Sequence, residues 1–285
     1  MKRIVLIIGT VFLVIGTFQA SFSQILDSPP RDGAFDKVHY LEKKPIPYAY
    51  VRESDVIFQK RIWRVIDLNE KMNQPFYYPE TPHNQWRSLM QVIMDAMKEG
   101  SITAYDANLP TDEFTVPLTF QELMGTLERT DTVTLQRPYP PYDPYDTVIS
   151  VTFSPTNVKK FRIKEDWFFD KQRSMMDVRI IGICPVVNNY DENGEFRGYK
   201  PLFWIYFPEA RPIFAKAEIF NGHNSAQRLT YDDIFWKRIF GSYIYKEENI
   251  FDRKIADYAI GIDALLEAER IKNELFEFEF ELWEY

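Results

Sequence analysis

Residues 163–211 read IKEDWFFDKQRSMMDVRIIGICPVVNNYDENGEFRGYKPLFWIYFPEAR, and the pattern inside this stretch decides the fold. The runs 178–187 and 202–207 are rich in β-branched and aromatic side chains. Between them, Asn193-Gly194 is the dipeptide best suited to a two-residue type I′ turn. A hairpin centred on that pair sets a register in which Ile183 faces Trp204, Ile181 faces Tyr206 and Cys184 faces Phe203. Apolar residues occupy both faces of each strand, so the ribbon is expected in the middle of a sheet with both sides covered.

Working outward, strands are expected at 102–107, 146–154 and 158–163, from their alternation and β-branched content, and a strand or short turn-strand piece at 213–220. Pro208-Glu209-Ala210-Arg211 follows the second hairpin strand as a candidate buried ion pair or a strand terminator. Ser54 is read as the cap of a helix over 55–72, with Ile57, Phe58, Ile62, Trp63, Ile66 and Leu68 as its apolar face. Asn84 is read as the cap of a second helix that carries Trp86, Leu89, Met90, Ile93, Met94 and Met97 and ends before Gly100; its methionine stripe fits a core face. Thr119 and Glu122 form a capping box for a third helix reaching residue 129, and Thr230 caps a fourth over 231–240. The strongest amphipathic pattern covers 253–275, with Ile255, Tyr258, Ala259, Ile262, Leu265, Leu266 and Ala268 on one side. The last ten residues, FEFEFELWEY, alternate at period two, but no Gly or Pro separates them from this helix, which is therefore continued to about residue 283. The expected fold is α+β: a largely antiparallel sheet centred on the long hairpin, flanked by amphipathic helices, with an extended N-terminal arm. DVIFQKRIW at 55–63 and DDIFWKRIF at 232–240 echo each other at an offset of 177, which raises either an internal duplication or convergence of two short amphipathic strings.

The first 23 residues have the parts of a secretory signal: Lys2 and Arg3, an apolar run over 4–15, and small residues at Ser21 and Ser23, with cleavage expected before Gln24. No cysteine lies near that point for lipid attachment. Residues 24–50, with Ser28-Pro29-Pro30 and Lys43-Lys44-Pro45-Ile46-Pro47, read as an extended arm, either a disordered leader or a strap for a neighbouring subunit. Residues 51–285 form the folded unit. Hydrophobic residues make up 45% of the 285, enough for a large core, and aromatics reach 16%. The formal charge is −8, and loss of Lys2 and Arg3 would leave 32 basic against 42 acidic residues, or −10, which argues against nucleic acid as a partner. Cys184 is the single cysteine, so no disulfide framework exists, and its apolar neighbours fit a buried, inert thiol.

A search for catalytic strings finds little. His39, His83 and His223 are far apart in sequence, and there is no HExxH, G-x-S-x-G or P-loop, nor any cofactor or metal motif. Asp166 and Asp170 flank Trp167, Phe168 and Phe169, and a raised-pKa acid on an aromatic surface is how glycan cleavage is built; the structural alternative makes Asp166 a helix or turn cap. A small-ligand site in an aromatic cleft is the other alternative. Residues suited to protein interfaces are Tyr48 and Tyr50 in the arm, Tyr139, Tyr142 and Tyr145 in the loop YPPYDPY that is expected to bridge helix and strand, and Phe280, Trp283 and Tyr285 at the tail, because aromatic rings supply rigid contact area.

IKEDWFFDKQ from Ile163, VRIIGICP from Val178, LFWIYFPEAR from Leu202, AEIFN over 217–221, DDIFWKRIF from Asp232, KEENIFDR ending at Arg253 and the final LWEY occur together and in order. In these strings the chain resembles the GldN/PorN family, a component of the type IX secretion and gliding-motility machinery of Bacteroidota. The resemblance implies a non-catalytic periplasmic scaffold, held at the inner face of the outer membrane in a ring with a GldK/PorK-like lipoprotein. It further implies contact with the periplasmic region of the GldL/GldM (PorM-like) motor complex. It carries no catalytic residues, cofactor or metal.

Overall fold

The computed structural model describes residues 42–83, 86–109, 112–140, 142–151, 153–191, 195–222, 224 and 226–281. In chain order the elements are β1 (Val56–Asp67), α1 (Gln74–Tyr77), α2 (Leu89–Lys98), β2 (Ala104–Asp106), β3 (Pro117–Leu118), α3 (Phe120–Leu127), β4 (Arg129–Gln136), β5 (Pro144–Val151), β6 (Val158–Asp170), β7 (Met175–Tyr190), β8 (Phe196–Pro201), β9 (Phe203–Tyr206), α4 (Phe207–Phe214), β10 (Glu218–Ile219), β11 (Leu229–Thr230), α5 (Tyr231–Trp236), β12 (Tyr243–Glu247) and α6 (Ile262–Glu281). Eight strands make one sheet in the order β12-β1-β6-β7-β9-β2-β3, with β8 also on β7, and every pairing is antiparallel. The fold is α+β, as expected.

β7 lies inside this sheet, between β6 and the β8–β9 run. Its pairing with β8 keeps the expected register over Val186↔Pro201 to Asn189↔Gly198, but with β9 the partners are Ile183↔Ile205 and Gly182↔Tyr206, one residue off the expected Ile183–Trp204. The slip falls at Pro185, which has no N–H to give a central ladder; its carbonyl accepts from Leu202 N at 3.0 Å, and three residues on one strand oppose two on the other. At the tip, Asp191 N donates to Glu195 O and Tyr190 faces Phe196, again one residue off. The Asn193-Gly194 turn itself lies outside the described residues.

The largest correction concerns residues 55–72. They form β1, entered through a 3-10 turn at Glu53–Asp55, and β1 pairs with β6 from Val56↔Asp170 to Asp67↔Lys160. Val56, Ile57, Ile62, Val65 and Ile66 are β-branched, and the residues that line up at helical spacing also alternate. Long-range pairing with a 13-residue strand decides between the two periods. β6 is correspondingly longer than the 158–163 strand expected. Residues 207–214 are helix α4, so the piece expected at 213–220 contains the end of that helix and only the short strand Glu218–Ile219. Residues 129–136 add β4, a strand not anticipated, so Tyr139 and Tyr142 sit at the tip of the separate β4–β5 hairpin and do not bridge helix to strand.

Helix ends follow local chemistry. Ser88, not Asn84, caps α2, in a capping box with Gln91, and Trp86 stays outside the helix; Gly100 follows at φ +72°. Thr119 with Glu122 and Thr230 with Asp233 cap α3 and α5 as expected. α6 begins only at Ile262, because Gly261 at φ +64° breaks the path from the 3-10 turn Ile255–Asp257, and it is helical through Glu281. The echo at offset 177 is not a structural repeat. Its first copy is strand, while its second is helix through Trp236 followed by a turn with Arg238 at φ +54°.

Cross-strand partners share a face, which assigns the layers. α2, α4 and α5 pack on the face bearing Ile163, Ile183 and Ile205; Phe76, Phe207, Phe214, Tyr231 and Phe235 complete that core, with Met90 and Met97 buried in it. α6 covers Ile62, Trp167 and Ile244 toward the β12 side of the same face. The opposite face holds a smaller core of Trp63, Cys184, Val186 and Trp204, lidded by Tyr105, Phe114 and Tyr245. β7 is thus covered on both sides, and burial pushes the Cys184 thiol up to about 12, an inert state.

Candidate interaction surface

The segment from β12 into α6 is where the sequence leaves apolar side chains in water. Asn249 holds the turn after β12, donating to Glu247 O and Arg253 O at 2.9 and 2.8 Å and accepting from Arg253 N at 2.9 Å. That turn presents Ile250 (98% exposed) and Phe251, and the linker to the helix presents Ile260 (86%). In α6, Ala264, Ala268, Ile271 and Leu275 face the sheet. On the opposite side Ile262, Leu266, Glu269, Asn273, Phe276 and Phe280 recur at alternating spacings of four and three, with Leu265 beside them; Ile262 is 75% and Leu266 63% exposed. A helix apolar on two opposite sides buries one of them in its own fold and leaves the other uncovered. The expected apolar face of 253–275 therefore divides, with Ile262, Leu265 and Leu266 outward and Ala268 inward.

The same segment walls a cleft of about 270 Å³ at the β12 edge, where Lys254, Ile255, Gly261, Ala264 and Leu265 oppose the sheet residues Val65, Val186 and Ile244. Its polar lining is three cations and three phenols: Lys160, Arg162, Lys254, Tyr199, Tyr243 and Tyr245. Lys160 is committed to the protein, pairing with Asp67 at 2.9 Å, standing 4.2 Å from the Tyr199 ring and donating to the Tyr243 hydroxyl at 3.4 Å. Burial pushes its pKa down, but the bonds to Asp67 and Tyr199 outweigh this and hold it above the ordinary lysine value. Asp67 is held below the usual carboxylate range, burial being outweighed by the Asn69 N–H and Lys160. Arg162 lies over the Tyr245 ring at 5.1 Å, and burial raises the pKa of the Tyr245 phenol. Among the described residues, neither Arg162 nor Lys254 has a carboxylate within ion-pair range. Both cations point charge at the cleft without a counter-charge of their own.

The sequence-based interface residues do not converge. Tyr48 packs on its own chain, 5.4 Å from the Trp236 ring with the Arg211 guanidinium 4.3 Å from its centroid, and burial raises its pKa. Lys43 pairs with Asp233 and Ala49 O accepts from Arg179, so residues 43–49 run along the body while Tyr50 is exposed. Tyr48 closes a second cleft of about 210 Å³ over the buried Arg211–Asp232 pair, so the arginine of PEAR is in a buried ion pair whose acid lies outside that string. Tyr139, Tyr142 and Tyr145 are exposed on the β4–β5 hairpin and Phe280 on α6, whereas Trp283 and Tyr285 lie outside the described residues. Sequence reasoning missed Ile250, Phe251, Ile260 and the free cations. The signal available was KEENIFDR itself, an Ile-Phe pair set among charges next to a Gly-bounded helix.

The acidic candidates are closed. Asp166 lies mid-strand in β6, not at a cap, and takes both Arg61 Nε and Nη2 at 2.6 and 2.8 Å. Asp170 accepts from Arg173 Nε at 2.7 Å and from Gln172 N, and the Arg173 bond holds its pKa down, the reverse of what a general acid needs. Four residues of strand separate the two by about 13 Å, beyond the roughly 6.5–9.5 Å of inverting glycosidases. No group of three His, Cys, Asp or Glu side chains able to hold a metal occurs among the described residues, and no helix among them is long and apolar enough to cross a membrane.

Fold and surface together define an α+β protein with exposed aliphatic side chains, Ile250 and Ile260 foremost, in the segment that walls a cationic, aromatic cleft at one edge of its sheet. The chain belongs to the GldN family: the model described as "Gliding motility associated protein GldN" matches residues 51–284. No curated protein matches the chain.

Proposed function

We propose that this chain is a non-catalytic structural component of the type IX protein secretion and gliding-motility machinery. It sits in the periplasm, forms a ring with a GldK/PorK-like outer-membrane lipoprotein, and touches the periplasmic region of the GldL/GldM motor complex, so that load passes between the two. The family supplies the biological setting, and the residues 1–23 pattern supplies export. The observation that carries an assembly role is α6, which leaves Ile262, Leu265, Leu266, Phe276 and Phe280 exposed on the side away from its buried face.

The hydrolase alternative draws no support from Asp166 and Asp170, whose oxygens are engaged by arginines. Complementation of a strain lacking the protein tests the choice. Asp166→Asn with Asp170→Asn, at equal folded level, is expected to restore delivery of secreted proteins to the cell surface. Failure to restore it would favour catalysis.

A further inference from the structure

The cleft at the β12 edge presents two cations with no carboxylate partner among the described residues, three tyrosine rings and an aliphatic floor, which is the complement of an acidic, aromatic peptide. Such a peptide exists in this chain. Residues 276–285 read FEFEFELWEY, with four carboxylates, five aromatic rings and no cation. Glu277, Glu279 and Glu281 have no basic partner among the described residues, because Arg270 serves Glu267 and Glu274 and Lys272 serves Glu269.

This segment cannot fill the cleft of its own subunit. Leu265 lines the cleft and Glu281 ends the same helix sixteen residues later, about 24 Å away at the α-helical rise. Trp283 lies at most about 7 Å of chain beyond Glu281. α6 also runs away from the site: Phe278 packs on Phe58 at 4.2 Å, while the cleft is at Val65, about 23 Å along β1.

We infer that the cleft of one copy receives residues 281–285 of a second copy, an aromatic ring of the tail against Tyr199, Tyr243 and Tyr245, and a tail carboxylate on Arg162 and Lys254. Donor and acceptor are different surfaces at opposite ends of α6, so the contact is head-to-tail. Repeated, it closes into a ring or continues as a filament according to the rotation per step. Ile250, Phe251, Ile260 and Leu266 are exposed in the same β12-to-α6 segment that supplies Lys254, Ile255, Gly261 and Leu265 to the cleft wall. The inference deepens the assembly role above and rests on it for its biological meaning.

A fluorescent peptide of residues 276–285, titrated into the chain from Gln24 onward and followed by polarisation, tests the contact. Saturable binding is expected, weakened about tenfold or more by Lys254→Glu on the exposed rim or by Tyr199→Ala. A peptide carrying Glu284→Lys should regain affinity for Lys254→Glu. No binding, or equal binding to native and Lys254→Glu protein, overturns the inference. In the whole chain, Trp283→Ala should abolish association between copies seen by light scattering. If Trp283→Ala copies join one another and the lipoprotein as native ones do, the tail contact is overturned and the ring role stands. If the peptide binds as described but native chains never join the lipoprotein, the contact stands and the ring role falls.

Discussion

Arg211 and Asp232 are both nearly inaccessible to water and share two hydrogen bonds, at 2.9 and 3.3 Å. Removing one partner of such a pair strands a buried charge, so Asp232→Ala is expected to lower unfolding free energy by about 3–5 kcal/mol in denaturant titrations; a loss under about 1 kcal/mol would contradict the pairing. Asp67 gives a pH signature. Its folded pKa lies below the unfolded value, so its contribution is fully present above about pH 4 and is lost as pH falls through the lower folded value. Asp67→Asn should cost about 1–3 kcal/mol at neutral pH, by depriving Lys160 of its partner, and should make the acid-side loss of stability shallower. Melting curves between pH 3 and 7 would show both effects. At this scale the sequence was partly legible. PEAR suggested a buried ion pair, but the acid that Arg211 meets, Asp232, lies on another element, and the two meet only because α4 and α5 pack together. Arg61 and Asp166 were illegible as a pair for the same reason: their contact exists only once β1 lies beside β6.

Among the elements, α6 makes the sharpest forecast because its two apolar sides have opposite duties. Ile271 is fully buried, so Ile271→Ala should cost about 2–5 kcal/mol of stability. Leu266 is outward, so Leu266→Ala should change stability by no more than about 0.5 kcal/mol while weakening self-association measured by sedimentation. Equal stability losses in the two variants would mean that the faces are misassigned. The strings DVIFQKRIW and DDIFWKRIF explain why some elements could be read and others not. Nearly identical residues form a strand in one place and a helix and turn in the other. The second copy has its cap, Thr230 with Asp233 three residues on, whereas before the first copy Ser54 has no Glu or Gln at the matching position and sits in a 3-10 turn that leads into pairing with β6. Elements whose ends are written in local chemistry, such as α3 and α5, were legible. β1 depends on β6, a partner distant in sequence, whereas β4 and the full length of β6 form hairpins with the next strand and carry no capping box at their ends. The hairpin fell between these cases: the expected register holds from Val186↔Pro201 to Asn189↔Gly198 and is one residue off on either side, at the tip and beyond Pro185.

At the scale of the whole molecule, the central strand β7 is buried on both sides, and the β12 side of the sheet carries an exposed apolar helix face, an aromatic-cationic cleft and, at the other end of the same helix, an acidic aromatic tail. A chain of formal charge −8 would resist packing against copies of itself through like-charged surfaces, so a contact that joins its tail carboxylates to its free cations is the arrangement its electrostatics favour. The sequence displayed the tail openly; the cleft was hidden, because its residues come from β1, β6, β7, β8, β12 and the start of α6. The central claim is that this chain builds an assembly. The most direct test is the mass, by light scattering, of the particle formed when the chain from Gln24 onward is mixed with its cognate lipoprotein, at low and high salt. A defined co-complex many times heavier than either chain, loosened but not abolished by salt, is the expected result. A monomer that never joins the lipoprotein at either salt would contradict it.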